Sequence, residues 1–155
     1  MTMYREPETH SLGLSDITDL FIEIEGEEEK FILDHAPDNL SDTPEGRMLI
    51  SFLEDERDKV ATCKMTLKGQ QDEKVVTLGD WDFHTLKNLS FLQYCKGADQ
   101  KRIATKTLLD AALSFEEHMN ESLQKLAAQM GNPERLVELI DRNNQTKGKL
   151  KAYLG

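Results

Sequence analysis

The stretch Leu20-Phe21-Ile22-Glu23-Ile24-Glu25-Gly26-Glu27-Glu28-Glu29-Lys30-Phe31-Ile32-Leu33 decides the fold, because it supports two incompatible readings. Ile and Glu alternate from Ile22 to Glu25, and an apolar run returns after Gly26 and a charged segment. Alternation on both sides of a glycine is the pattern of a β-hairpin. Ile17, Leu20, Phe21, Ile24 and Phe31 also fit one helical face with Ser15 as its N-cap. Gly26 would then stand inside the helix at a cost of about 1 kcal/mol, which favours the hairpin.

Working outward, residues 1–14 are polar and aperiodic, with Pro7 and Gly13, and are expected to form a flexible tail. On the other side, Thr43-Pro44-Glu45 sets a capping hydroxyl before a proline at a first helical position. Met48, Leu49, Phe52 and Leu53 give that helix an apolar face. Glu54, Asp55, Glu56 and Asp58 then crowd a segment that would be its C-terminal end, where acids oppose the macrodipole, so the helix is predicted to stop near Glu54. From Lys59 to Lys68 the pattern has period two, with Ala61, Cys63, Met65 and Leu67 on one side, which predicts a strand. Gly69-Gln70-Gln71-Asp72 turns it and Val75–Leu78 returns as a second hairpin.

The C-terminal half reads as helical. Asp80 or Asp82 caps a helix carrying Phe83, Leu86, Leu89 and Leu92, which Gly97 ends. A long amphipathic helix follows to Met130, with Leu108, Ala112, Phe115, Met119, Leu123 and Leu126 recurring every three or four residues. Gly131 is placed as a C-terminal cap and Pro133 as a restart. The last helix is expected to be short and interrupted at Asn143-Asn144 and Gly148, leaving a basic tail. The fold class is therefore α+β: two short β-hairpins packed with a capped helix, followed by a mostly helical C-terminal half. One domain over 15–155 is expected, with a mixed β/α part at 15–80 and a helical part at 81–155. No uncharged apolar run approaches the roughly 20 residues of a membrane helix, and the first ten residues lack the apolar core of a secretory signal, so the expected location is cytoplasmic.

Charge is unevenly distributed. Residues 1–60 hold seventeen acids against five bases, residues 61–130 nine of each, and residues 131–155 three acids and five bases. With a pI near 4.9, the chain lacks the concentrated basic footprint of a nucleic-acid binder. The C-terminal bases Arg142, Lys147, Lys149 and Lys151 are expected to fold back on the acidic segment, of this chain or of a second copy.

Motifs for chemistry are scarce. No two of Cys63, His84, Cys95 and His118 have the close spacing of zinc ligands, and Glu116-Glu117-His118 is not the Glu-x-x-His that sets two ligands on one helical face. No metal and no cofactor are expected, and no catalytic residue is assigned. Glycine-rich phosphate cradles and nucleophile elbows are absent from the sequence. The chain therefore reads as a small acidic, non-enzymatic protein-binding factor (an adaptor, assembly factor or chaperone-like protein). Its candidate partner-binding residues are Trp81, Phe83, Glu23, Glu25 and Glu27, facing a partner protein of basic character. Self-association, as a dimer, is expected through Leu108, Phe115, Met119, Leu123 and Leu126. The alternatives are an acidic inhibitor or decoy of a basic nucleic-acid-binding protein, and an enzyme whose site joins His84 to Cys63 or Cys95 in space.

Overall fold

The computed structural model describes residues 9–67 and 75–155. These residues are mostly helical with one two-stranded antiparallel sheet, which is compatible with an α+β class. In chain order they form β1 (Thr9–Gly13), α1 (Leu14–His35), α2 (Pro44–Leu67), β2 (Val75–Gly79), α3 (Asp80–Lys87), α4 (Thr105–Gln129) and α5 (Glu134–Leu154). A 3₁₀ turn at Leu40–Asp42 precedes α2, and a second at Phe91–Gln93 follows α3. One contiguous apolar core runs from Leu14 on α1 to Leu150 on α5, with α2 in contact with α1, α4 and α5.

The first hairpin does not form: residues 14–35 are one helix. Its buried positions, Leu14, Ile17, Thr18, Phe21, Ile24, Glu25, Glu28 and Ile32, recur at three and four residues, and burial of that whole stripe outweighs the cost of Gly26. Gly26 lies on the exposed side, where an added Cβ would meet nothing. The helix opens with Asp16 Oδ2 accepting the Gly13 N–H at 2.8 Å, so the cap sits two residues earlier than Ser15.

The second hairpin is corrected in the same way. Helix α2 starts at Pro44, with the Gly46 N–H donating to Thr43 Oγ1 at 2.9 Å, and does not stop near Glu54. It continues to Leu67, so the acids at 54–58 lie in mid-helix, away from the negative end of the dipole. Leu49, Phe52, Leu53, Glu56, Lys59 and Cys63 form its inward stripe, while Ala61 and Thr62 are exposed. The period-two pattern does not mark two faces of a strand: Lys59 and Cys63, four residues apart, both face inward, while Ala61 between them is exposed. The expected turn at 69–72 lies outside the described residues. Strand β2 pairs instead with β1, residues 9–13 of the expected tail, in the register Leu12↔Val76 and His10↔Leu78. Val76 and Leu78 are buried and Leu12 packs against the same core.

Helix α3 is shorter than expected and takes Gly79 as its N-cap in place of Asp80 or Asp82. After α4, Gly131 and Asn132 both adopt positive φ, and Pro133 is the N-cap of α5 rather than its first residue. Asn143-Asn144 and Gly148 do not interrupt α5, because Leu136, Leu139, Ile140, Asn143, Thr146 and Leu150 keep one buried stripe through them. The basic tail is thus the last turns of α5. Lys149 Nζ meets Asp55 Oδ2 of α2 at 3.0 Å, and Lys151 Nζ meets Glu117 Oε1 of α4 at 3.4 Å.

Candidate metal centre

The helices carry charged and amide side chains at positions where their stripes call for apolar ones. Glu25 and Glu28 lie one turn apart on the inner face of α1, Glu56 and Lys59 one turn apart on α2, Glu116 and Asn120 on α4, and Asn143 on α5. All are at most 3 % exposed. Residues three or four apart share a helical face, so α1, α2 and α4 each present their pair on one inward face, and α5 adds Asn143. One carboxylate oxygen from each of Glu25, Glu28, Glu56 and Glu116 lies within 4.8 Å of the others.

Lys59 supplies the only cation paired with this group among the described residues. Its ammonium is 2.8 Å from Glu56 Oε1, 3.6 Å from Glu116 Oε2 and 3.8 Å from Glu25 Oε1, and it donates to Asn143 Oδ1. The Phe21 ring lies 5.4 Å from it. Glu56 Oε1 is the only one of the eight carboxylate oxygens that accepts from an ammonium or N–H; the oxygens of Glu25, Glu28 and Glu116 meet other carboxyls, and a hydrogen bond between two of them needs a proton on one. Asn143 Nδ2 and Asn120 Oδ1 are buried and unbonded as well.

Four carboxylates against one ammonium give a formal charge of −3 in a region that water barely reaches. Burial of an ionised carboxylate costs several kcal/mol unless it is compensated. Protons are one source of compensation. Burial first, then the Glu116 charge, raises the Glu25 and Glu28 carboxyls well above their ordinary value. Burial and the Glu25 charge do the same to Glu56. Glu116 is pushed up to about 7 by burial and by Glu56, with Lys59 opposing. Burial works against the Lys59 ammonium, but Glu116, Glu25 and Glu56 together outweigh it and hold it charged. A divalent cation is the other source. Oxygen-only donor sets suit hard ions such as Mg²⁺, Mn²⁺ and Ca²⁺, and helical bundles build such centres from carboxylates on facing helices.

A cleft of about 360 Å³ between α1 and α2 is lined by Ile22, Glu25, Gly26, Glu29, Glu56, Arg57, Val60, Ala61 and Lys64, so two residues of the cluster border it, although both Glu25 oxygens and Glu56 Oε2 are shielded from solvent. Arg57 Nε and Glu29 Oε1 pair at 2.6 Å between its two helices. A second cleft, about 330 Å³ between α2 and α5, is lined in part by Lys59, Cys63, Arg135 and Arg142.

The residues singled out in the sequence are dispersed. Glu23 and Glu27 are exposed on α1, whereas Glu25 faces inward and belongs to the cluster, which corrects its assignment to a partner-binding surface. Phe83 is half-buried and stacks on His10 at 3.9 Å between centroids, and the Trp81 side chain lies outside the described set. Leu108, Phe115, Met119, Leu123 and Leu126 are at most 4 % exposed within a single chain, so their stripe finds its apolar partner in the chain's own core. Burial pushes the Cys63 and Cys95 thiols up, against the low value a thiolate nucleophile needs. Sequence reasoning missed the cluster. The available signal was Glu25-x-x-Glu28 followed by Glu56-x-x-Lys59, two polar pairs that interrupt apolar stripes at the same spacing.

Comparison of the chain with protein-family models, with curated proteins and with solved structures gives no match. Among the described residues, no helix is long and apolar enough to cross a membrane.

Proposed function

We propose that this protein binds a hard divalent cation at the centre of its helical bundle, through Glu25, Glu28, Glu56 and Glu116. The observation that carries the reading is the setting of Glu28: the residue is 1 % exposed, no N–H or ammonium donor reaches either oxygen, and the groups that meet it are three further carboxyls. A group with a purely structural task would be expected to find a hydrogen-bond donor, because an unpaired buried acceptor costs about 1–3 kcal/mol. The route of entry in this reading is the α1–α2 cleft, whose lining includes Glu25 and Glu56; because the Glu25 oxygens and Glu56 Oε2 are shielded from it, entry needs α1 and α2 to part. The test is calorimetric titration of chelator-treated protein with Mn²⁺, Mg²⁺ and Ca²⁺, beside a Glu28→Gln variant. Saturable binding by the wild type alone supports the reading, and equal behaviour of the two proteins refutes it.

A second reading concerns the outside of α1. Asp16, Asp19, Glu23 and Glu27 are all exposed there, spaced at three and four residues. This row supports the acidic, partner-binding role expected from composition, directed at a basic protein and compatible with the metal centre. A cytoplasmic location fits two cysteines that are both free. Association of the wild type with a basic protein should weaken when Glu23 and Glu27 become Gln. Unchanged association would remove this reading.

A further inference from the structure

Lys59 occupies a place in the cluster that chemistry would otherwise give to a cation. Its ammonium lies among oxygens of Glu56, Glu116, Glu25 and Asn143, from all four long helices. Such a shell of carboxylate and amide oxygens is what a hard metal ion attracts. Glu28 stands on the other side, where its oxygens meet the Glu25 and Glu116 carboxyls rather than the Lys59 ammonium. The cluster therefore has two sides: a Glu56–Asn143 side held by the ammonium, and a Glu28 side bounded by Glu25 and Glu116 oxygens.

We propose that Lys59 is a built-in counter-ion that replaces one ion of a two-ion carboxylate centre, so that the protein takes a single divalent cation, on the Glu28 side. The inference rests on the metal-binding reading above. Two arguments carry it. The first is occupancy: the ammonium already contacts Glu56 Oε1 and Asn143 Oδ1, oxygens a second ion would need. The second is charge. Four carboxylates with the ammonium and one divalent ion leave a single negative charge, whereas a second divalent ion beside the ammonium would make the buried group positive and set three cations against one another. Lys59 also stands three residues after Glu56, the spacing at which a histidine would share the helical face as a second ligand. One substitution at position 59 is thus enough to convert a one-ion into a two-ion centre.

The experiment loads full-length wild type and Lys59→His with excess Mn²⁺ after chelator treatment, removes free ion, and measures Mn²⁺ per chain together with the electron paramagnetic resonance spectrum. The expected wild type holds one ion per chain, with the resolved hyperfine pattern of an isolated ion. Lys59→His should hold two, with the broadened spectrum of an exchange-coupled pair. A coupled pair in the wild type overturns the proposal and leaves the metal-binding reading standing. A folded Lys59→His protein that still holds one ion also overturns it. If that variant fails to fold, the wild-type spectrum decides: an isolated ion supports the proposal and a coupled pair overturns it. No Mn²⁺ in the wild type overturns both the proposal and the reading beneath it.

Discussion

Lys59 Nζ lies 3.6 Å from Glu116 Oε2, joining α2 to α4 through two side chains that are 2 % and 0 % exposed. Neither residue can lose its partner cheaply, since breaking a buried ion pair from one side costs about 3–5 kcal/mol. Lys59→Met should therefore destabilise the metal-free protein by about that amount near pH 8. The loss should shrink toward pH 5, where the carboxyls hold protons and no longer need the ammonium. Denaturant unfolding at the two pH values checks this, and an equal loss at both would show that Lys59 is valued only for its packing.

The Glu28 carboxylate should behave in the opposite sense. It has neighbours of its own sign, and its hydrogen bonds run to the Glu25 and Glu116 carboxyls rather than to an N–H or ammonium donor. Glu28→Gln keeps the shape and removes the charge, so the metal-free protein should gain about 1–2 kcal/mol near pH 8 while losing most of its cation affinity. A gain in stability coupled to a loss of binding is the mark of a residue kept for a ligand. Equilibrium unfolding with and without Mn²⁺ reads both, and a destabilised Glu28→Gln would contradict it.

The direction of pH dependence follows from the raised carboxyls of Glu25 and Glu28 on α1, Glu56 on α2 and Glu116 on α4. A carboxyl with a higher pKa in the folded than in the unfolded state binds more protons when folded. The stability it supports is present in full below the unfolded value, near 4.5, and is lost as pH rises through the folded value, about 7 for Glu116. Lys59 shifts upward too, but its loss falls in the alkaline range. The metal-free protein should thus melt at a lower temperature at pH 8 than at pH 5.5, and a divalent cation should raise the melting temperature more at pH 8, where it displaces fewer protons. Thermal scans in matched buffers check both signs.

The sequence reveals the helical segments better than it reveals their extent. Thr43-Pro44 marks the start of α2, and the stripe through Phe115, Met119 and Leu123 marks α4, because local capping and a purely apolar face leave one reading. Residues 20–33 and 59–67 mislead for one shared reason: Glu25, Glu28, Glu56 and Lys59 stand at core positions, so the apolar stripes look broken just where the centre is built. Counted as surface charge, those residues favour a hairpin. Taken as inward-facing, they complete two helices. The centre was hidden by the same feature that disguised the fold, and only the packing of four helices brings Glu116 and Asn143, distant in sequence, to that level.

Gly26 offers a kinetic check on the route to the centre. It lines the α1–α2 cleft, and space is open beside it. Gly26→Leu should stabilise α1 by about 0.5–1 kcal/mol through helix propensity and slow cation uptake several-fold, with the equilibrium affinity little changed. Stopped-flow mixing with Mn²⁺ measures the uptake rate, and an unchanged rate would place the route elsewhere, as in the α2–α5 cleft.

Leu123, 2 % exposed in one chain, bears on the expected dimer. Leu123→Ala should cost about 2–5 kcal/mol, with unfolding midpoints that do not vary with protein concentration. A midpoint that rises with concentration would show that the stripe also serves assembly.

The most direct measurement is titration of chelator-treated wild-type protein with Mn²⁺ at pH 8, in buffers of differing ionisation heat so that proton release is counted. Saturable binding with release of protons from the carboxyl cluster, absent from Glu28→Gln, is the expected result. Failure of Mn²⁺, Mg²⁺ and Ca²⁺ alike to bind up to millimolar concentration would contradict the assignment of a metal centre to Glu25, Glu28, Glu56 and Glu116.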